Sequence, residues 1–126
     1  MLAVDTNVLV RLLARDDARQ AAAADAAVAA GAWVSHLVLA ETLWVLDAVY
    51  GRTRRQIAAA LELLLAHESL VIQDAEVVAA ALAHYAARPA LGFSDCLVLE
   101  IARKAGHSPL ATFDRALARL PNTRRL

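Results

Sequence analysis

The sequence predicts an α/β fold, with a central parallel sheet and helices on both of its faces. Three observations carry this. Short apolar runs recur at residues 2–4, 32–35, 70–72 and 109–112, and stretches of helical periodicity separate them. A strand, a helical crossover and a further strand give parallel pairing, because the chain must cross a face of the sheet to re-enter in the same direction. Finally, 126 residues of which 60% are hydrophobic suffice for one domain, residues 1–126, with a sizeable core.

The elements follow in order. "LAV" at 2–4 reads as a buried strand. "TNVLVRLLAR" sets Val8, Leu9, Leu12 and Leu13 on one face, with Arg11 and Arg15 on another. The stretch from Asp16 to Gly31 is mostly alanine, which favours helix but offers little area to bury, so it predicts a peripheral element. "AWVS" is a second strand whose Ser35 can cap the strongly apolar helix ending at Gly51. Thr53 and Gln56 form a capping box for a helix to about His67. "LVI" at 70–72 is a third strand. Asp74 is placed to cap a helix that Pro89 stops, and Ser94 to cap one that ends at Gly106. "PLAT" is a fourth strand, "DRALARL" a short helix, and the tail "TRRL" a possible last strand.

Composition narrows the function. Thirteen basic and 13 acidic residues leave a formal net charge of zero, which argues against nucleic-acid binding by charge alone. Cys96 is the only cysteine, so no internal disulfide forms, which fits a reducing compartment. The opening residues lack the basic region and long apolar stretch of a signal peptide, and Glu41 and Asp47 interrupt the apolar run around 37–50. The expectation is a cytoplasmic protein without a membrane segment.

Four acids fall where such a sheet gathers residues, beyond the carboxyl ends of its strands. Asp5 follows the first strand, Glu41 lies in the helix after the second, Asp95 starts a helix, and Asp114 follows the fourth strand. Asp5, Asp95 and Asp114 each have a plain alternative as helix caps or first-turn acids. Glu41 is different. Its helical neighbours are Leu37, Val38, Trp44 and Val45, with no Lys or Arg within a turn. That setting predicts a buried acid in need of a cation, either a distant arginine such as Arg11 or Arg88, or a metal.

Two carboxylates about 4 Å apart repel by roughly 4 kcal/mol at an effective dielectric of about 20. A cluster of four therefore calls for a hard, oxygen-seeking ion, Mg²⁺ or Mn²⁺. Zinc is disfavoured, since one Cys and four scattered His (His36, His67, His84, His107) give no paired ligand spacing. With the four acids assigned to metal, nine acids face 13 bases and the remainder carries +4. That balance suits a polyanionic substrate. Arg11, Arg15, Arg52, Arg54 and Arg55 are candidates for phosphate contact, each equally readable as a solvated surface residue. Trp44, Leu46 and Tyr50 lie on a helix apolar on nearly every side, which predicts an interface or a central position.

In order and spacing, "VDTNVLVRLL", "SHLVLAETLWVL", "GFSDCLVLEIARKAG" and "PLATFDRAL" resemble the PIN-domain ribonucleases, and more closely the VapC-type toxins of VapBC toxin–antitoxin pairs. The similarity spans essentially the whole chain. It implies a PIN-like fold and Mg²⁺- or Mn²⁺-dependent endonucleolytic cleavage of RNA. It also implies a homodimer and inhibition by a cognate VapB-type antitoxin. Matched residue by residue, Asp5, Glu41, Asp95 and Asp114 take the family's acidic metal-binding positions, with none of the four missing. Thr6, Asn7, Ser94 and Thr112 take the polar positions that orient those carboxylates. One metal or two is equally compatible with the residues.

Other α/β Mg²⁺ proteins fit less well. A receiver domain wants paired acids after the first strand and a late strand-end lysine, but Thr6 follows Asp5 and Lys104 lies in a helix. A haloacid-dehalogenase-like phosphatase wants Asp-x-Asp, and Asn7 holds the second place. A non-catalytic binding module gives no reason to keep Glu41 on an apolar face.

Overall fold

The computed structural model describes all residues, Met1–Leu126. The chain divides into two compact units, Met1–Ala75 and Glu76–Leu126.

The first unit runs β1 (Leu2–Ala3), α1 (Thr6–Ala14), α2 (Ala18–Ala29), β2 (Ala32–Val34), α3 (His36–Ala48), α4 (Arg54–Ala66) and β3 (Leu70–Ile72). Its three strands pair in parallel in the order β1-β2-β3, with Leu2 opposite Ala32 and Ala32 opposite Leu70. Both crossovers carry a helix pair, which is why sequential strands lie side by side and point the same way. Leu9, Val34, Leu39, Leu61 and Leu64 are fully buried and form the centre of this unit.

Helix ends here follow the local chemistry. Ser35 is extended and its hydroxyl accepts from the Val38 N–H at 3.1 Å, capping α3. Thr53 and Gln56 close a reciprocal capping box on α4. Beyond the end of α2, Gly31 has a φ of 95°, a left-handed conformation that turns the chain into β2. The alanine-rich α2 buries only Ala21, Ala24 and Val28, a stripe at spacings of three and four, as expected of a peripheral helix.

The second unit contains α5 (Ala75–Ala87), α6 (Phe93–Lys104), β4 (Leu110–Thr112), a 3₁₀ turn (Leu117–Arg119) and β5 (Thr123–Arg125). β4 and β5 pair in parallel, so the tail does supply a last strand. All strand pairs of the chain are thus parallel, as the alternation predicts, but hydrogen bonding divides them into a three-stranded and a two-stranded sheet. Tyr85 and Phe93 pack edge to face, ring centres 6.0 Å apart, and Cys96 is completely buried. No helix is long and apolar enough to cross a membrane.

Asp74 precedes α5 with a left-handed φ of 41°. One expected cap differs. Ser94 lies inside α6, whose capping position is taken by extended Gly92, with no side-chain cap. "LGFSD" offers an extended glycine directly before a buried phenylalanine, and anchoring Phe93 starts the helix one residue before Ser94. Replacing Ser35 with alanine is expected to cost about 1 kcal/mol of stability, whereas Ser94→Ala stays within about 0.5 kcal/mol. Urea denaturation of the two variants checks the contrast.

Candidate functional site

Parallel pairing of β1 with β2 makes both strands end at one edge of the first sheet, and the helices that follow them start there. Val4 continues the ladder, its N–H donating to the Trp33 carbonyl at 3.1 Å. Asp5 is then the N-cap of α1, and its Oδ1 accepts from the Val8 N–H at 3.2 Å. The cap fixes the carboxylate through one oxygen and leaves Oδ2 for another partner, so capping and metal binding are compatible. Glu41 sits in the second turn of α3. The Thr6 hydroxyl donates to its Oε2 at 3.4 Å, the long end of hydrogen-bond range. Asp5, Thr6 and Glu41 are therefore brought to one edge of the first unit.

The expected burial of Glu41 is not observed. Glu41 is exposed, and so are its helical neighbours Leu37 and Trp44. Its acid charge is solvated, and no arginine is needed to hold it. The expectation for Trp44, Leu46 and Tyr50 divides: Trp44 is on the surface, Leu46 is core, and Tyr50 is tied into a polar corner.

That corner also holds Arg11. Its Nη1 donates to Asp16 Oδ1 at 3.0 Å and to the Tyr50 hydroxyl at 3.2 Å, and that hydroxyl donates to Asp16 Oδ2 at 2.8 Å. Arg15 grips Asp25 with two bonds of 3.0 and 2.8 Å. Both candidate RNA-contact arginines are thus engaged within the first unit, and a phosphate would have to displace a carboxylate to reach them. Asn7 lines the cleft between α1 and α2, a cavity of 360 Å³ it shares with Val8, Arg11, Gln20 and Ala24.

In the second unit, Asp95 is an exposed acid in the first turn of α6, where the helix dipole favours it. Its Oδ2 passes 3.7 Å from where a Cβ on Gly92 would stand. Ser94, beside it, is exposed. Asp114 repeats the device seen at Asp5: Oδ1 accepts from the Leu117 N–H at 2.9 Å, capping the 3₁₀ turn. The Thr112 hydroxyl accepts from the Asp114 N–H at 3.0 Å, which fixes the backbone carrying that carboxylate.

Within neither unit do three His, Cys, Asp or Glu side chains gather closely enough to hold a metal ion on their own. The donor chemistry at the edge of the first unit nonetheless fits a hard divalent cation. Asp5, Glu41 and Thr6 present only oxygen, and neither imidazole nor thiolate competes among them. The charge is also unevenly divided. The first unit has nine acidic and six basic residues, net −3, and the second has four and seven, net +3.

One acid escaped the sequence reading. Glu100, only 6% exposed, has both carboxylate oxygens 3.1 Å from Arg103 Nη1, and His84 Nε2 lies 3.7 Å away. The signal was present, since Cys96, Leu97 and Leu99 surround it in sequence and Arg103 follows at i+3.

A family model for the PIN domain matches residues 2–122. Among solved structures, the chain is similar to VapC20 of Mycobacterium tuberculosis, described as a sarcin–ricin-loop-cleaving toxin. Identity is 21% over 98% of this chain and 97% of that one, with a TM-score of 0.45. No curated protein sequence matches the chain.

The corner at Asp16 has a pH signature. Its hydrogen bond from Tyr50, with Arg11 assisting, holds the Asp16 carboxyl below the usual carboxylate range, and Arg15 does the same for Asp25. A depressed carboxyl contributes stability that is present above its unfolded pKa and lost as pH falls through the folded value. The urea midpoint of the wild type is expected to fall as pH drops from neutrality through the carboxylate range. Asp16→Asn should flatten part of that slope. Arg103→Met is expected to destabilise by about 1–2 kcal/mol, between the costs of breaking an exposed and a buried pair; thermal unfolding of the variant measures it.

Proposed function

This chain belongs to the PIN domain family, and from that premise we propose that it is a metal-dependent endoribonuclease, the toxin of a toxin–antitoxin pair. Residues 1–126 work as one PIN domain in the cytoplasm. Its partners are an RNA substrate, a cognate VapB-type antitoxin and a second copy of the chain. The observation that carries the reading is the meeting of Asp5, Thr6 and Glu41 where β1 and β2 end.

Asp5 and Glu41 of the first unit would hold Mg²⁺ or Mn²⁺, directly or through water, and Asp95 and Asp114 of the second unit are the further candidate ligands. When bound, such an ion lowers the pKa of water for attack on a phosphodiester and stabilises the leaving oxygen. The chain's own groups orient and hold. Asp5 and Asp114 keep one oxygen pinned to a backbone N–H, so the other points in a fixed direction without a change of rotamer. Thr6 steadies Glu41 by its hydrogen bond, and Thr112 fixes the Asp114 backbone. Asp95 lies in the first turn of α6, beside the positive end of that helix. Ser94 and Asn7 supply polar contacts to water or substrate. Arg11 and Arg15 meet RNA phosphates only by exchanging their present carboxylate partners.

Asp5→Asn is the sharpest test, because asparagine caps a helix as well as aspartate does while removing the charge. The variant is expected to unfold at the urea concentration of the wild type and to lose cleavage of total cellular RNA by orders of magnitude. The wild type should give discrete products with Mg²⁺ or Mn²⁺ and none with EDTA. Full cleavage by a folded Asp5→Asn variant would remove Asp5 from the site.

A further inference from the structure

The second unit holds a cavity of 260 Å³ that none of the candidate metal ligands lines. The α5–α6 connection gives it Arg88, Pro89 and Leu91, and the 3₁₀ turn and the residue before it give Arg119 and Ala116. Apart from the two arginines its walls are alanine, proline and leucine, with no carboxylate among them. The four acids of the unit lie elsewhere. Glu76 is joined to Lys104 and Glu100 to Arg103, Asp95 sits in the first turn of α6, and Asp114 caps the 3₁₀ turn. Arg119 is exposed and forms no ion pair.

Both arginines hang from pinned backbone. The Arg88 N–H donates to the His84 carbonyl at 3.1 Å, and the Leu91 N–H donates to the Arg88 carbonyl at 3.1 Å. On the other wall, the Arg119 N–H donates to the Ala116 carbonyl at 3.2 Å. The Thr123 hydroxyl lies 3.1 and 2.7 Å from the Ala118 and Leu120 carbonyls and holds the turn from outside. The segments that carry the two guanidiniums are thus set before anything binds.

Charge and size decide what fits. Two guanidiniums lining one apolar recess repel each other, and an anion between them relieves this. A carboxylate holds two oxygens in one plane, which a single guanidinium fork satisfies. A phosphate spreads its oxygens over a tetrahedron and can face two forks at once. Cavities that enclose drug-sized ligands measure about 300–1,000 Å³, so this one admits a group rather than a whole nucleotide. A phosphomonoester carries about −1.5 to −2 charges at neutral pH, whereas a phosphodiester within a strand carries a single one, so the pair of arginines favours the monoester.

We propose that Arg88 and Arg119 form a binding site for a phosphate dianion, which shares no residue with the proposed metal site. Its source is either the free phosphate ion or the phosphorylated end of an RNA strand. The site itself does not rest on the ribonuclease reading; the RNA end as its source does.

Isothermal titration calorimetry of the full chain, with EDTA present so that no strand is cut, tests this. The titrants are inorganic phosphate and oligo(rA) with a 5′-phosphate or a 5′-hydroxyl end. Saturable binding of phosphate is expected. Arg88→Ala and Arg119→Ala should each weaken it by about 10–100-fold, the worth of one hydrogen bond to a charged group, and Arg119→Lys should recover part of the loss. Arg124, exposed on β5 and outside the cavity, is the control, and Arg124→Ala should bind as the wild type does. Arg119→Ala is expected to keep the wild-type Tm in the absence of phosphate. A wild type that does not bind phosphate, or an Arg124→Ala variant as weak as Arg119→Ala, would overturn the proposal, because the charge would then act diffusely. A preference for the 5′-phosphorylated strand that Arg119→Ala abolishes assigns the site to RNA ends, and phosphate binding without that preference assigns it to the free ion. Phosphate binding by a chain that cuts no RNA would sink the ribonuclease reading and leave this site standing. Cleavage by a chain indifferent to phosphate would do the reverse.

Discussion

The parallel pairing of β1 with β2 is the constraint on which the rest depends. Only two residues of β1 are in register, Leu2 against Ala32 and Ala3 against Trp33. That short ladder makes two strands far apart in sequence end at the same edge. The N-termini of α1 and α3 then lie side by side, and the thirty-five positions between Thr6 and Glu41 collapse to one hydrogen bond. An antiparallel pairing of the same segments would send the two helix starts to opposite edges. The candidate site is a property of strand direction before it is a property of any acid.

In the proposed site, fold and chemistry would share the same side chains. Asp5 and Asp114 each satisfy a backbone N–H that a helix end would otherwise leave without a partner. Each does so with one oxygen, and the aim of the other follows from the cap. Orienting a carboxylate this way needs no extra residues, and the side-chain entropy it costs is offset by the helix it helps to start. The choice between cap and ligand, posed for Asp5 from the sequence, is therefore not a choice between exclusive roles.

Much of this was legible. Periodicity located the helices, and the Ser35 cap, the Thr53–Gln56 box and the parallel direction of the strands stand as read, whereas β1, read as buried, is exposed at Leu2 and Ala3 and buries only the following Val4. The errors share a cause. Helical spacing says which residues share a face, and it does not say whether anything covers that face. Leu37, Glu41 and Trp44 were correctly grouped, yet the stripe is open to solvent, so the acid expected to be buried is exposed. Glu100 has similarly apolar neighbours and is buried, with Arg103 one turn on. Arg11 and Arg15 were placed on the right face, but their partners Asp16 and Asp25 lie in the α1–α2 connection and on α2, where no one-helix pattern reaches. Ser94 lost the capping position to Gly92 because packing of Phe93, rather than capping chemistry, decides where α6 begins.

Cys96 has a consequence of another kind. It is the chain's only thiol, it is wholly enclosed, and it sits one residue after Asp95 in the first turn of α6. A thiol reagent can reach it only when that turn opens, so the rate of its alkylation is a clock for local unfolding of the segment that carries Asp95. The protein thus contains a built-in reporter on the mobility of one of its acids. Ligands or partners that hold α6 closed would slow the clock, whether or not any RNA is cut.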